Sequence, residues 1–288
     1  MEHLNAIIQG ILIGGLYALF AAGLSLIFGV MRLVNISHGD LIVATAYLAW
    51  TVVQAFGLHP IVSIAIVVPI AAAIGYAVQR GILNRTLGKD ILPPLLVTFG
   101  LSVIIQNGLL QTFSADSHKL DAGWMETKSF EILPNVSVGL FPLLIFATAV
   151  ATIWALQYVF YHTNLGRAFR ATSDDPEIAQ LMGLDNRKVY AKAMAICFGV
   201  VALAGVFFAI RANFDPFMGP ARLIFGFEAV IIGGLGSLWG TLAGGVILGV
   251  AQAIGAQLDP GWQVLAGHVA FILVLAFRPR GLFPRTSA

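Results

Sequence analysis

Charge is absent from long stretches of this chain. No Asp, Glu, Lys or Arg occurs in 3–31, 41–79, 91–115, 132–166, 193–210, 229–258 or 260–277. A helix needs about 20 mostly apolar residues to cross the hydrocarbon core of a bilayer, so each window holds at least one tilted or slightly short span. The pattern predicts an all-α polytopic membrane protein, with spans near 6–30, 41–56, 61–79, 92–113, 140–160, 190–210, 223–236, 240–258 and 262–277. The window 41–79 is too long for one helix, and Gly57-Leu58-His59-Pro60 supplies the turn that divides it. The pair 223–236 and 240–258 leaves the crossings at eight or nine. The first member is short, and Gly233-Gly234-Leu235-Gly236-Ser237-Leu238-Trp239-Gly240 separates them. Irregular backbone at membrane depth survives only against protein or a water-filled cavity, so a broken or re-entrant helix is expected there. The whole chain, 1–288, reads as one transmembrane domain.

Composition supports this. Hydrophobic residues make up 58% and charged residues 10%, where a soluble domain carries about 25% charged residues. That supply is too small for a wettable surface. A net charge of +2 implies no nucleic-acid partner. Cys197 stands alone, which excludes a disulfide framework or a multi-cysteine metal site. Met1-Glu2-His3 lacks a basic leader, and the apolar run behind it has spanning length, so it reads as a retained span and not a cleaved signal peptide.

Basic residues in short loops fix the orientation, with acids nearly ignored. Arg32, Arg80, Arg85, Lys89, Arg167, Arg170, Arg187, Lys188, Lys192, Arg278, Arg280 and Arg285 fall in loops that nine crossings place on one side, the cytoplasmic one. Lys119, Lys128, Arg211 and Arg222 remain for the other. The N-terminus is then outside and the C-terminus inside. Residues 114–139 form the one long external loop.

A short helix in 161–190 carries all its punctuation. Asp174 or Asp175 caps its N-terminus, Pro176 fits the first helical position, and Glu177 favours the positive end of the dipole. Ile178, Leu181 and Met182 fall at i, i+3 and i+4 as one apolar stripe, and Gly183 suits the left-handed position that ends a helix. So short a helix is not stable alone in water. Its stripe must dock on the membrane ends of this chain or in the groove of a partner.

Glu177-Ile178-Ala179-x-x-x-Gly183 resembles the EAA-xxx-G coupling loop of ABC importer permeases. Ile178 stands in place of the first alanine, and no Ile-x-x-Pro follows Gly183. Gly166-Arg167-Ala168-Phe169-Arg170-Ala171 through Gly183 resembles the permeases of branched-chain amino-acid importers (the LivH type). So do Gly23-Leu24-Ser25-Leu26-Ile27-Phe28-Gly29, Asn35-Ile36-Ser37-His38-Gly39-Asp40 and the run Gly233–Gly240. Together these marks cover nearly the whole chain. The resemblance implies an inner-membrane transport subunit without an ATPase site or cofactor. Its partners would be a second homologous permease (heterodimer or homodimer), two cytoplasmic ATPase subunits and a periplasmic substrate-binding protein. It also implies that Asp175, Glu177, Ile178, Ala179, Leu181, Met182 and Gly183 form the ATPase-coupling loop. The chain has no G-x-x-x-x-G-K-[ST], so it offers no phosphate cradle of that kind.

Candidate residues for a translocation pathway or gate are Asn35, Ser37, His38, Asp40, Glu228, Gly233, Gly234 and Gly236. A carboxylate at membrane depth is costly unless paired or hydrated, which singles out Glu228. The plain alternatives are an interfacial Glu228 that pairs with Arg222 or faces external water, and a cytoplasmic turn at 35–40 with Asp40 capping the next helix. The small residues Gly240, Ala243, Gly244, Gly245 and Gly249 permit close helix contact within the chain or against a paired permease. Two other function classes compete. A self-contained ion-coupled carrier would use Glu228 and Asp40 but has no need of a docking helix at 176–182. A membrane enzyme would need a zinc pattern or a nucleophile–base pair, and neither is present. The implied solute is a branched-chain amino acid; urea, short amides or another small polar solute are the alternative within the same family.

Overall fold

The computed structural model describes residues 2–87, 92–133 and 136–283. Lys89 and Arg285, two of the residues that set the orientation, lie outside them. The charge-free windows are helices: α1 (Glu2–Met31), α2 (His38–Phe56), α3 (Pro60–Gly81), α4 (Leu92–Phe113), α6 (Leu140–His162), α9 (Asn186–Arg211), α11 (Leu238–Leu258) and α12 (Gln263–Phe277). Eight helical segments, one around each of these, are long and apolar enough to span a membrane. α10 (Gly219–Gly233) has 15 residues, roughly 22 Å at 1.5 Å per residue, too short to cross alone.

The 114–139 loop folds into a one-turn helix, α5 (Trp124–Thr127), and a hairpin of β1 (Ser129–Leu133) and β2 (Val136–Gly139). The 161–190 segment holds the expected short helix, α8 (Pro176–Leu181). An amphipathic helix that the pattern did not announce, α7 (Asn164–Asp174), precedes it. Arg80, Arg85, Arg187 and Lys188 line one cavity at the end of the bundle that also carries α7 and α8. This is the basic end.

α1 and α9 form the centre, and 83% of the most apolar window of each is buried. They run antiparallel, with Gly23 against Cys197 and the rings of Phe20 and Phe208 6.1 Å apart. Around them the chain repeats itself upside down. α1–α2–α3–α4 is matched by α9–α10–α11–α12, so that α11 packs on α1 as α3 packs on α9, and α10 on α1 as α2 on α9. Each repeat has a long central helix, then an irregular link (32–37 or 212–218), then a helix ended by a glycine with positive φ (Gly57 at 61°, Gly234 at 103°). Such inverted repeats place solute sites near the midplane, where discontinuous helices meet.

α1 and α11 pack through two small-residue pairs. Gly10 and Gly14 on α1 face Gly249 and Gly245 on α11, and a Cβ at Gly14 would lie 2.5 Å from Val246 Cα. Backbones meet this closely only where side chains are missing. Gly240 and Gly244 turn the other way, onto Gly233 and Ala229 of α10. The small-residue run of α11 therefore serves contacts within the chain.

Candidate functional site

Two sets of residues carry the candidate chemistry. The first is α8. Asp175 is extended (φ −147°, ψ 104°), and its Oδ1 accepts hydrogen bonds from the Glu177 and Ile178 amides at 2.9 and 3.0 Å. Pro176 occupies the first turn, where its missing N–H costs nothing. Ala179 faces inward, while Ile178, Leu181 and Met182 are 58%, 86% and 80% exposed. Gly183 (φ +87°) then turns the chain toward α9. Asp185 caps α9, and its hydrogen bond to Lys188 holds its carboxyl below the ordinary aspartate value.

The α7–α8 segment is tied to the bundle by hydrogen bonds. Asn186 Nδ2 donates to Pro176 O at 2.7 Å, joining α8 to the start of α9. Ser173 Oγ donates to Gly29 O at 2.7 Å, joining α7 to the basic end of α1. Phe169 is fully buried on α7 beside Phe160 of α6. A displacement of α8 therefore reaches both central helices. A cavity of about 540 Å³, walled by Arg32, Leu33, Val34, Ser173 and Tyr190, separates the α1–α2 link from α7.

The second set is central. The 35–40 segment is no turn at the membrane surface: it re-enters the bundle. His38 Nε2 hydrogen-bonds Phe20 O at 2.8 Å, near the middle of α1. The Ile36 amide donates to Thr98 Oγ1 of α4, and Asn35 Oδ1 accepts from the Ser37 amide and hydroxyl at 3.1 and 2.7 Å. Asn35, Ser37, His38 and Asp40 are all buried. α2 thus begins at mid-bundle, and so does α10. A Cβ at Gly39 would lie 2.0 Å from Gly219 O, and one at Gly219 would lie 2.0 Å from Asp40 Oδ1. The N-termini of both short helices meet there, and the Asp40 carboxylate sits at the positive end of α10.

Each short helix presents its acid to the outermost helix of its own repeat. Ser102 Oγ donates to Asp40 Oδ2 at 2.5 Å, and Gln106 Nε2 donates to Asp40 Oδ1 at 2.9 Å, both from α4. Glu228 of α10 hydrogen-bonds His268 of α12 through Oε1, and its buried Oε2 has no hydrogen-bond partner. Arg222 is not its partner; that guanidinium stacks on Phe208, 4.6 Å from the ring centroid. The charge-based reading missed Ser102, Gln106 and His268 because none carries a fixed charge. The available signal was the i, i+4 spacing of Ser102 and Gln106, and one histidine in an apolar window.

Gly233, Gly234 and Gly236 lie elsewhere. They form the α10–α11 turn at the basic end, where Phe283 N donates to Gly233 O at 3.0 Å. The irregular backbone inside the bundle is at 32–37 and 212–218, not at the glycine-rich run.

Asp40→Ala is expected to destabilise the fold by about 1–3 kcal/mol, since the Ser102 hydroxyl and Gln106 amide lose a buried acceptor. Asp40→Asn keeps an acceptor oxygen and should lose less. Thermal unfolding of the purified chain in detergent checks this, and equal midpoints for the two variants would contradict it.

A family model described as "Branched-chain amino acid transport system / permease component" matches residues 6–277. The chain is 27% identical to the high-affinity branched-chain amino acid transport system permease protein BraD of Pseudomonas aeruginosa, over 99% of this chain and 96% of that protein. It is 26% identical to the corresponding permease protein LivH of Escherichia coli, with the same two coverages. With LivM of Escherichia coli it shares 24% identity, over 94% of this chain and 68% of that one.

Proposed function

The chain belongs to the family of branched-chain amino acid transport permease components, and on that premise we propose how it moves its solute. It is a permease subunit of an ABC importer for branched-chain amino acids, a multi-pass protein of the bacterial inner membrane. Similarity to both LivH and LivM accords with a pairing of two related permeases. In our reading the partner is a second homologous subunit, two ATPase subunits bind at the basic end, and a periplasmic binding protein delivers solute at the opposite end.

The exposed apolar stripe of α8 carries this reading. Ile178, Leu181 and Met182 stand on a capped helix that its own chain leaves uncovered, at the end where positive charge marks the cytoplasm. Closure of the ATPase pair pushes α8. The Asn186–Pro176 bond passes the push to α9, and α7, joined to α8 at Asp175, passes it to α1 through the Ser173–Gly29 bond. Because these helices run antiparallel and each leads into a re-entrant link, their relative shift moves the Gly39–Gly219 meeting point. Asp40 and Glu228 then flank the opening path, Asn35, Ser37 and His38 brace the first link, and Gly233, Gly234 and Gly236 close the basic end.

The test is reconstitution in proteoliposomes with the partner permease, ATPase subunits and binding protein. ATP-dependent accumulation of leucine is the expected result, with little uptake of urea. Accumulation that continues without ATP and collapses with an ionophore would assign the chain to the ion-coupled carriers instead.

A further inference from the structure

Two of the runs singled out in the sequence, 23–29 and 233–240, converge on one cavity of about 380 Å³ at the basic end. Ser25 and Gly29 of α1 form one wall, Gln157 and Tyr161 of α6 a second, and Ser237 and Trp239 at the start of α11 a third. Its depth is that of the lipid headgroups. Ser25 and Gln157 fall within the last two turns of α1 and α6. Trp154, Tyr158 and Tyr161, at i, i+4 and i+7 on one face of α6, are all exposed, and so is Trp239. Tryptophan and tyrosine collect where a membrane meets water.

The cavity gathers hydrogen-bond donors that the chain leaves unused. Ser25 is 1% exposed, yet its hydroxyl has no partner, although a serine within a helix can bond back to the carbonyl one turn before it. Gln157, half-buried, is the only primary amide on α6. At α11 the Ser237 hydroxyl and carbonyl take the Gly240 and Thr241 amides. The Leu238 and Trp239 amides open that helix and have no acceptor within it, so the positive end of the α11 dipole faces the cavity. At the edge, the Arg170 guanidinium lies over the Tyr161 ring, 5.3 Å from its centroid, and donates to Phe160 O. Among the described residues no Asp or Glu lines the cavity. Donors, a helix N-terminus and a cation with no acid between them suit an anion.

We propose that this cavity between α1, α6 and α11 binds the phosphate of an anionic phospholipid from the leaflet at the basic end. Phosphate oxygens accept from Ser25 Oγ, Gln157 Nε2 and the Leu238 and Trp239 amides, and Arg170 offsets the charge. The acyl chains run along the exposed face of α6 past Tyr158 and Trp154. A lipid is favoured over a free anion because the rim, Tyr161 and Trp239, stands at the level where lipid phosphates already lie. Basic pockets between spans on the cytoplasmic side take anionic headgroups for this reason. Bound there, the lipid joins α6 to the packed pair α1 and α11. The site needs only the spans and the basic end, and stands apart from the importer reading.

The full chain, delipidated in detergent, tests it by thermal midpoint and by native mass spectrometry. The probes are phosphatidylglycerol, phosphatidylethanolamine with the same acyl chains, and inorganic phosphate. Phosphatidylglycerol should raise the midpoint by about 5 °C near saturation, phosphatidylethanolamine by less than half as much, and phosphate not at all. Ser25→Ala combined with Gln157→Leu should keep the lipid-free midpoint within about 2 °C of the parent, since the Ser25 hydroxyl bonds nothing in the chain. The same variant should bind phosphatidylglycerol about tenfold or more weakly, having lost two bonds to a charged group. No shift, equal shifts from both lipids, a shift from phosphate alone, or an undiminished shift in the variant overturns the proposal. The unaltered chain gives a second reading. A photoreactive phosphatidylglycerol should mark α6 and α11 peptides in preference to those of α3, and labelling without that preference overturns it as well.

Discussion

Leu181→Asp combined with Met182→Asp is expected to abolish leucine import while the chain stays folded in the membrane. Both side chains are more than three-quarters exposed, at 86% and 80%, so neither supports the fold. The Asp175 cap and the inward Ala179 are untouched, and α8 keeps its shape. What is lost is apolar burial in the partner. Fully burying a leucine or methionine is worth about 1.5–3 kcal/mol. Removing two such contacts costs roughly 3–6 kcal/mol, which is about 10²- to 10⁴-fold in affinity. Co-purification of the ATPase subunits should fall with import. Asp175→Ala, which removes only the cap, should cost about 1 kcal/mol of helix stability and leave import reduced but measurable. Import at the parental rate in the double variant, with the ATPase subunits still bound, would show that α8 is not the dock.

Gly39→Ala is expected to disrupt the centre of the molecule. The added methyl would lie 2.0 Å from Gly219 O and 2.8 Å from Gly219 C and Leu223 N, against about 3.5–4.0 Å for comfortable carbon contacts. These three nearest atoms all belong to the α10 backbone, so no side-chain rotation relieves the clash. α2 and α10 must separate, which also pulls Asp40 from the N-terminus of α10. Overpacking costs 1–3 kcal/mol in ordinary cores, and a backbone crossing belongs at the top of that range, about 3 kcal/mol or beyond. Gly100→Ala on α4 meets nothing within 4 Å and should not destabilise, since a mid-helix glycine costs about 0.5–1 kcal/mol relative to alanine. The thermal midpoints of the two purified variants in detergent decide the matter; if they agree, the crossing is looser than the geometry requires.

Much of this was legible without coordinates, for a definite reason. Burying one fixed charge in hydrocarbon is so costly that charge-free windows must be spans, whatever packs around them. α1–α4, α6, α9, α11 and α12 follow the windows closely. The end carrying α7 and α8 is the one that the basic loops marked. α8 was readable to within a residue because Asp175, Pro176, Glu177 and Gly183 act within a single turn of themselves. α7 was not, since its inward face is set by Phe169 against Phe160 rather than by end signals.

The central site is another matter. Asn35-Ile36-Ser37-His38-Gly39-Asp40 was visible as a polar cluster, but its depth was not. Whether such a segment lies at the surface or re-enters depends on Phe20, Thr98 and Gly219, which no local pattern connects to it. Glu228 was singled out as unusual, yet a partner two turns away on the same helix was the natural guess. The partner is His268, 40 residues on.

The sequence by itself determined the membrane class, the spans, the basic end and the short capped helix α8. Each of these rests on free energies that one residue or one helical turn pays against its solvent. Tertiary structure alone decided the inverted repeat, the meeting of α2 and α10 at Gly39 and Gly219, and the pairing of each acid with side chains on an outer helix that carry no fixed charge. Neutral polar side chains cost little or much in a membrane according to which distant groups satisfy them, so their role exists only once the chain has brought those groups together.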